Sequence, residues 1–145
     1  MLVDSGVKHA HVEGEYARRR ADCEMAAQTL GVNFLCDVKD MTALSVLSGN
    51  LAKRATHVVT EIARTHQARA AIARGDLMKL GQLMNESHAS LSEDMEVSTP
   101  EVDVLAQIAR QTAHVYGARM MGGGFGGSVI VLLDGEYAQH VQDQI

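Results

Sequence analysis

The sequence predicts an α+β domain in which helices pack on one face of a small antiparallel sheet. Three observations carry that prediction. Apolar residues recur at spacings of three and four through the middle of the chain, from about residue 15 to residue 91. Short apolar, β-branched runs stand near the two ends, Leu2-Val3 and Val129-Ile130-Val131-Leu132-Leu133. Between the last two apolar runs lies Met120-Met121-Gly122-Gly123-Gly124-Phe125-Gly126-Gly127-Ser128, with glycine at five of the six positions from 122 to 127. Glycine is used where backbone must take positive φ or lie close to another segment or a ligand, and its cost in chain entropy argues against filler.

At 145 residues the chain is one domain by size, long enough to bury a core. A net charge of −5 argues against a nucleic-acid surface. No run of 18 or more apolar residues is present, so no membrane span is expected, and the N-terminus shows no leader pattern. Cys23 and Cys36 make no disulfide framework and read as reduced, mostly buried thiols of a cytoplasmic protein.

Met1 to Val7 reads as a short strand, and Lys8 to Gly14 as a loop or extended edge. His9 and His11 can share one strand face, but a metal site needs a third ligand, so ordinary polar histidines are the competing reading. A helix is expected from Glu15, with Tyr16, Arg19, Arg20, Cys23, Ala26, Ala27 and Leu30 as its stripe and Gly31 as its stop. Phe34, Leu35 and Val38 pack a connector, and Lys39 to Leu47 forms a short helix. The longest helix runs from Leu51 to Ala73, burying Leu51, Ala55, Val58, Val59, Ile62, His66 and Ala70. His66 on that stripe reads as a core histidine. Gly75 stops this helix and Asp76 caps the next, Leu77 to Leu91, which packs antiparallel to it.

Ser98-Thr99-Pro100-Glu101 marks another helix start, with a capping hydroxyl, proline in the first turn and an acid at the positive helix end. Val115 to Met120 is a strand entering the glycine loop, Ser128 to Leu133 the strand leaving it. Asp134-Gly135 turns the chain into a last helix, Glu136 to Ile145. Ser87-His88 suggests a hydrolase pair, but adjacent residues on a helix do not face each other, and no oxyanion loop stands nearby. Gly122, Gly124 and Gly127 fit G-x-G-x-x-G, yet a strand follows where a dinucleotide site needs a helix. The local alternatives are a ligand-approaching loop and a plain hairpin turn.

Four ordered blocks resemble the galactokinase family of the GHMP kinases. They are Val7-Lys8-His9 with Gly14-Glu15-Tyr16 and Cys23-Glu24; Arg54-Ala55, His57-Val58-Val59 and Glu61; Glu86-Ser87-His88 through Glu96-Val97-Ser98 and Pro100-Glu101; and Gly117-Ala118-Arg119-Met120-Met121 with the glycine loop. The resemblance covers nearly the whole chain. It implies a ferredoxin-like core and a two-lobed kinase with its active site between lobes, of which residues 1–145 would form a C-terminal domain incomplete at both ends. It implies ATP- and Mg2+-dependent phosphorylation of galactose to galactose 1-phosphate.

On the same resemblance, Tyr16 contacts galactose, Gly122, Gly123, Gly124, Phe125, Gly126 and Gly127 form a loop at the cleft, and Lys8 offsets phosphate charge there. The catalytic aspartate, its partner arginine and the phosphate-binding loop have no match in this chain, and no metal ligand is assigned. The isolated chain is therefore expected to be inactive, its sugar and nucleotide reached through a missing N-terminal lobe, and its uncovered inter-lobe face able to self-associate. Met121, Ser128, Met95 and Ala17 depart from the family pattern, and Met121 leaves sugar specificity open. The competing readings are a non-catalytic sugar or nucleotide sensor, another GHMP sugar kinase, and a free-standing assembly module.

Overall fold

The computed structural model describes residues 1–7 and 12–145. Lys8, His9 and His11 lie outside the described residues. The elements follow in the order β1 (Leu2–Asp4), α1 (Val12–Thr29), α2 (Gly49–Arg74), α3 (Leu77–Glu93), α4 (Pro100–Gln111), β2 (Val115–Met121), β3 (Ser128–Leu133) and α5 (Ala138–Gln142). Short 3-10 turns occupy Leu35–Asp37, Met41–Val46 and Gly135–Tyr137.

Local chemistry sets most of the boundaries. Gly31 and Gly75 take φ of 69° and 66° where α1 and α2 end. Asp76 accepts from the Lys79 N–H at 2.9 Å and Thr99 accepts from that of Val102, so α3 and α4 start on capping side chains. Two expected helices come out differently. Asp40 accepts from both the N–H and the hydroxyl of Thr42, which holds residues 41–46 as a tight 3-10 turn. After β3, Asp134 caps a 3-10 turn, and the helix that follows spans only Ala138–Gln142. His114, at φ 67°, stacks on Tyr137 with ring centroids 3.4 Å apart and closes this end of the hairpin.

The sheet has the order β1-β3-β2, antiparallel throughout. Leu2, Ile130 and Arg119 pair across it, as do Val3, Val129 and Met120. Alternation then puts Val3, Val129, Val131, Ala118 and Met120 on one face. That face meets Val102, Ala106 and Ala109 of α4 in the main core. Each fully buried valine or methionine there contributes roughly 1.5–3 kcal/mol. A second core joins α1, α2 and the connector through Ala26, Ala27, Leu35, Leu44, Leu47 and Ala55. Phe34, expected to pack the connector, is instead 69% exposed; Leu35 takes the interior position beside it.

Helix α3 covers the outer edge of β2. The Ala118 N–H donates to Asn85 Oδ1 at 2.9 Å and the Met120 N–H to His88 Nδ1 at 3.1 Å. Two side chains thus replace the carbonyls that another strand would have offered. The approach is close: a Cβ on Gly81 would overlap the Tyr116 carbonyl, and one on Gly117 would overlap the carbonyl of Gly81.

His66 is exposed, contrary to expectation, and the buried histidine of α2 is His57. The two lie nine residues apart, two and a half turns, and so on opposite sides of the helix. The core turns toward the 57 side because α3 and the 94–97 segment pack there.

Candidate functional site

The glycine loop is a built structure in which each strained position has a local cause. Gly122, Gly124, Gly126 and Gly127 have φ between 87° and 123°, and Phe125 has φ 60°. Phe125 N–H donates to the Val97 carbonyl at 2.6 Å, and Gly127 N–H to the Val7 carbonyl at 3.1 Å. Ser5 N–H returns a bond to the Gly127 carbonyl at 2.9 Å. A Cβ on Gly124 would run into the Val97 carbonyl, and one on Gly126 would stand 2.6 Å from the Val7 carbonyl. Gly122 and Gly123 face open space. The loop is thus seated on residues 5–7 and on Val97. At least two of its N–H groups are spent on protein carbonyls, so the whole loop is not available as a phosphate cradle.

The segment Asp94–Val97 is held in turn by two arginines. Arg54, 1% exposed, donates to the Asp94 carbonyl, and its second terminal nitrogen reaches Glu96 Oε2 at 2.6 Å. Its Nε faces Asp22 Oδ2 at 3.5 Å. Arg19 donates from Nε to the Met95 carbonyl at 2.8 Å and from a terminal nitrogen to the Glu96 carbonyl at 3.1 Å. Lys53 adds an ion pair to Glu96 at 2.8 Å. Hydrogen bonds from Lys53 and Arg54 hold the Glu96 carboxyl well below the usual range, at about 2. Glu96 itself has φ 52°, an uncommon conformation for a non-glycine residue, sustained by these contacts.

Behind this segment, His57 Nδ1 lies 3.0 Å from Ser90 Oγ, and that hydroxyl donates to Asp94 Oδ2 at 2.8 Å. With its one proton committed to Asp94, Ser90 accepts from His57 Nδ1–H. Burial pushes the His57 pKa down. Burial and then the Arg110 charge do the same for His88, whose Nδ1 must stay unprotonated to accept from Met120. His88 Nε2 points toward Asp103 Oδ1 at 3.2 Å without forming an aligned hydrogen bond.

Ser87 does not meet His88. Its hydroxyl donates to Glu61 Oε1 at 2.6 Å, and Glu61 also accepts from Arg64 and Arg119. Burial opposes ionisation of Glu61, but hydrogen bonds from Ser87 and Arg64 outweigh it and lower the pKa. This is a structural carboxylate tying α2, α3 and β2 together.

Tyr16 is 57% exposed near the start of α1. Its helix is linked to the glycine loop through Arg19, the 95–96 carbonyls and Val97. The sequence reading singled out the two ends of this connection, Tyr16 and the loop, and missed the arginines and Glu96 between them. The signal was present: Arg54, Glu96 and Val97 all fall within the blocks quoted for the resemblance. A cleft of about 550 Å³ lies elsewhere, between α1, residues 32–36 and Val58, and contains both cysteines but neither Tyr16 nor the loop. Among the described residues, no group of three or more His, Cys, Asp or Glu is placed to hold a metal ion. No helix among the described residues is long and apolar enough to cross a membrane.

Known proteins match this arrangement. A galactokinase of Mannheimia succiniciproducens is 46% identical over 149 residues, covering 98% of this chain. The galactokinases of Bos taurus and Mycobacterium tuberculosis are 44% identical over 99% and 100% of it. The chain spans about two-fifths of the length of these relatives, 39%, 38% and 40% respectively. The crystal structure of Lactococcus lactis galactokinase complexed with galactose superposes with a TM-score of 0.91 at 33% identity, over 99% of this chain and 39% of that one. The model of the GHMP kinases C terminal family matches residues 68–145, which include α3, α4, the hairpin and the glycine loop. The chain belongs to the GHMP kinases C-terminal family.

Proposed function

We infer that this chain forms the C-terminal lobe of a galactokinase, which transfers the γ-phosphoryl group of Mg-ATP to the anomeric hydroxyl of galactose and yields galactose 1-phosphate for the Leloir pathway. The observation that carries the reading is 44–46% identity to galactokinases over essentially all of the chain. Residues 1–145 are then a single C-terminal domain, incomplete at both ends. Tyr16 supplies a phenol to a sugar hydroxyl and an apolar ring beside it. Residues Gly122–Gly127 face the cleft, with the open sides of Gly122 and Gly123 available for close approach. Lys8 offsets phosphate charge. On this reading the catalytic residues, the metal and the triphosphate site belong to the other lobe.

The test compares this chain with the longer polypeptide of its source that contains it, by ADP release with galactose and Mg-ATP. Turnover by the longer polypeptide and none by this chain supports the reading. Turnover by the isolated chain overturns its inactivity. A longer polypeptide that binds galactose without turnover favours the sensor reading.

Cys23, half-buried, and Cys36, exposed where a mostly buried thiol is expected, are both free, which supports a cytoplasmic location. The sheet face opposite α4 carries Leu2, Met121 and Ile130, exposed by 56%, 46% and 38%. In the longer protein it suits a covered face between lobes, and in the isolated chain it promotes self-association. Light scattering that gives a monomer at high concentration counts against the second point.

A further inference from the structure

We propose that Arg54 and Glu96 are positioning residues for the ligand cleft: the clamp between the buried Arg54 and the half-exposed Glu96 fixes segment Asp94–Val97, and through the Val97 carbonyl sets the placement of the glycine loop relative to the Tyr16 end of α1. The inference deepens the galactokinase reading and rests on it for the identity of the ligand.

The connection is continuous and short. Arg54 grips the Asp94 carbonyl and the Glu96 carboxylate. Arg19, one turn beyond Tyr16, grips the next two carbonyls, of Met95 and Glu96. The following carbonyl, Val97, receives the Phe125 N–H and abuts Gly124. Three consecutive carbonyls are thus held from α1 and α2, and the fourth holds the loop. A side chain able to reach two acceptors on one plane is needed at position 54, which is guanidinium geometry and not ammonium geometry. Burial of Arg54 makes the grip costly to release, because a loosened guanidinium would keep only Asp22, 3.5 Å from its Nε, in an otherwise buried setting. Glu96 combines a positive φ with a carboxylate held by Lys53 and Arg54 and a carbonyl held by Arg19. The segment therefore has one seated arrangement, and the loop inherits it.

The experiment is amide hydrogen exchange by NMR on this chain, wild type against Arg54→Lys and Glu96→Gln. Loss of the clamp raises exchange at Phe125 by about tenfold and leaves Ala118, Val129 and Val131 in the sheet within about twofold. Unchanged exchange at Phe125, or a uniform rise across the sheet, overturns the proposal. Glu96→Gln keeps the side-chain shape and decides the matter if Arg54→Lys does not fold. In the longer polypeptide the same variants raise KM for galactose several-fold while KM for ATP stays fixed; equal changes in both overturn the link to the sugar. If that polypeptide does not phosphorylate galactose at all, the functional reading fails, while exchange at Phe125 still decides the clamp.

Discussion

Gly81 and Gly117 meet backbone to backbone, and neither has room for a methyl group. This contact lets α3 lie along the edge of β2 at a distance where Asn85 and His88 reach its N–H groups. Gly81→Ala is expected to destabilise by about 1–3 kcal/mol through overpacking against strand backbone. Gly14→Ala, on α1 with nothing within 4 Å, is the control and should stabilise by up to about 1 kcal/mol. Denaturant unfolding of the three proteins checks both signs.

Asn85 supplies an acceptor that the sheet edge cannot do without. Asn85→Ala leaves the Ala118 N–H without its partner and should cost about 1–3 kcal/mol. Asn85→Asp keeps an acceptor at the same place and should cost clearly less. Equal losses in thermal unfolding would show that shape, and not the hydrogen bond, matters at this position.

Within the glycine loop the positions are not equivalent. Gly124 combines φ 89° with a Val97 carbonyl where its Cβ would go, so Gly124→Ala should cost about 1–3 kcal/mol. Gly123 faces open space without positive φ, so Gly123→Ala should change stability by no more than about 0.5 kcal/mol. In the longer polypeptide Gly123→Ala should nevertheless lower catalytic efficiency, because its open side faces the cleft under the proposed reading. A fully active, fully stable Gly123→Ala enzyme would argue against that orientation.

His57 and His88 both have folded-state pKa values pushed below 6.5 by burial. The unfolded chain then binds more protons than the folded one just below pH 6.5, so stability falls as pH falls. The stabilisation is complete above the unfolded value and is lost as pH drops through the folded ones. The limiting slope is about 1.4 kcal/mol per pH unit for each histidine. Urea titrations between pH 7.5 and 5.5 should show it, and a flat profile would mean that both rings are already hydrated.

Much of this architecture was legible in the sequence because its signals are local. Gly75-Asp76 and Thr99-Pro100 fix helix ends by backbone conformation and a single side-chain bond, and they stand where expected. The glycine loop between two apolar runs could only be a hairpin connection of some kind. What stayed hidden depends on contacts distant in sequence. Nothing local marks Arg54 as buried; its partners Asp94 and Glu96 stand some forty residues away in sequence. His57 and His66 are indistinguishable by composition, and only the direction of packing decides which is buried. Lys39–Leu47 carries helical residues, but one aspartate at position 40 tightens it to a 3-10 turn.

The asymmetry of the sheet limits how copies of this chain can assemble. One border is sealed by α3, while β1 has no strand on its far side among the described residues. A molecule with one free border can add one partner strand and no more. If two copies join border to border, each uses up the one border left free among the described strands, and growth by that route stops at a closed pair. A helix on one side of a three-stranded sheet thereby turns strand addition through the described strands toward closed pairs and away from open-ended fibres.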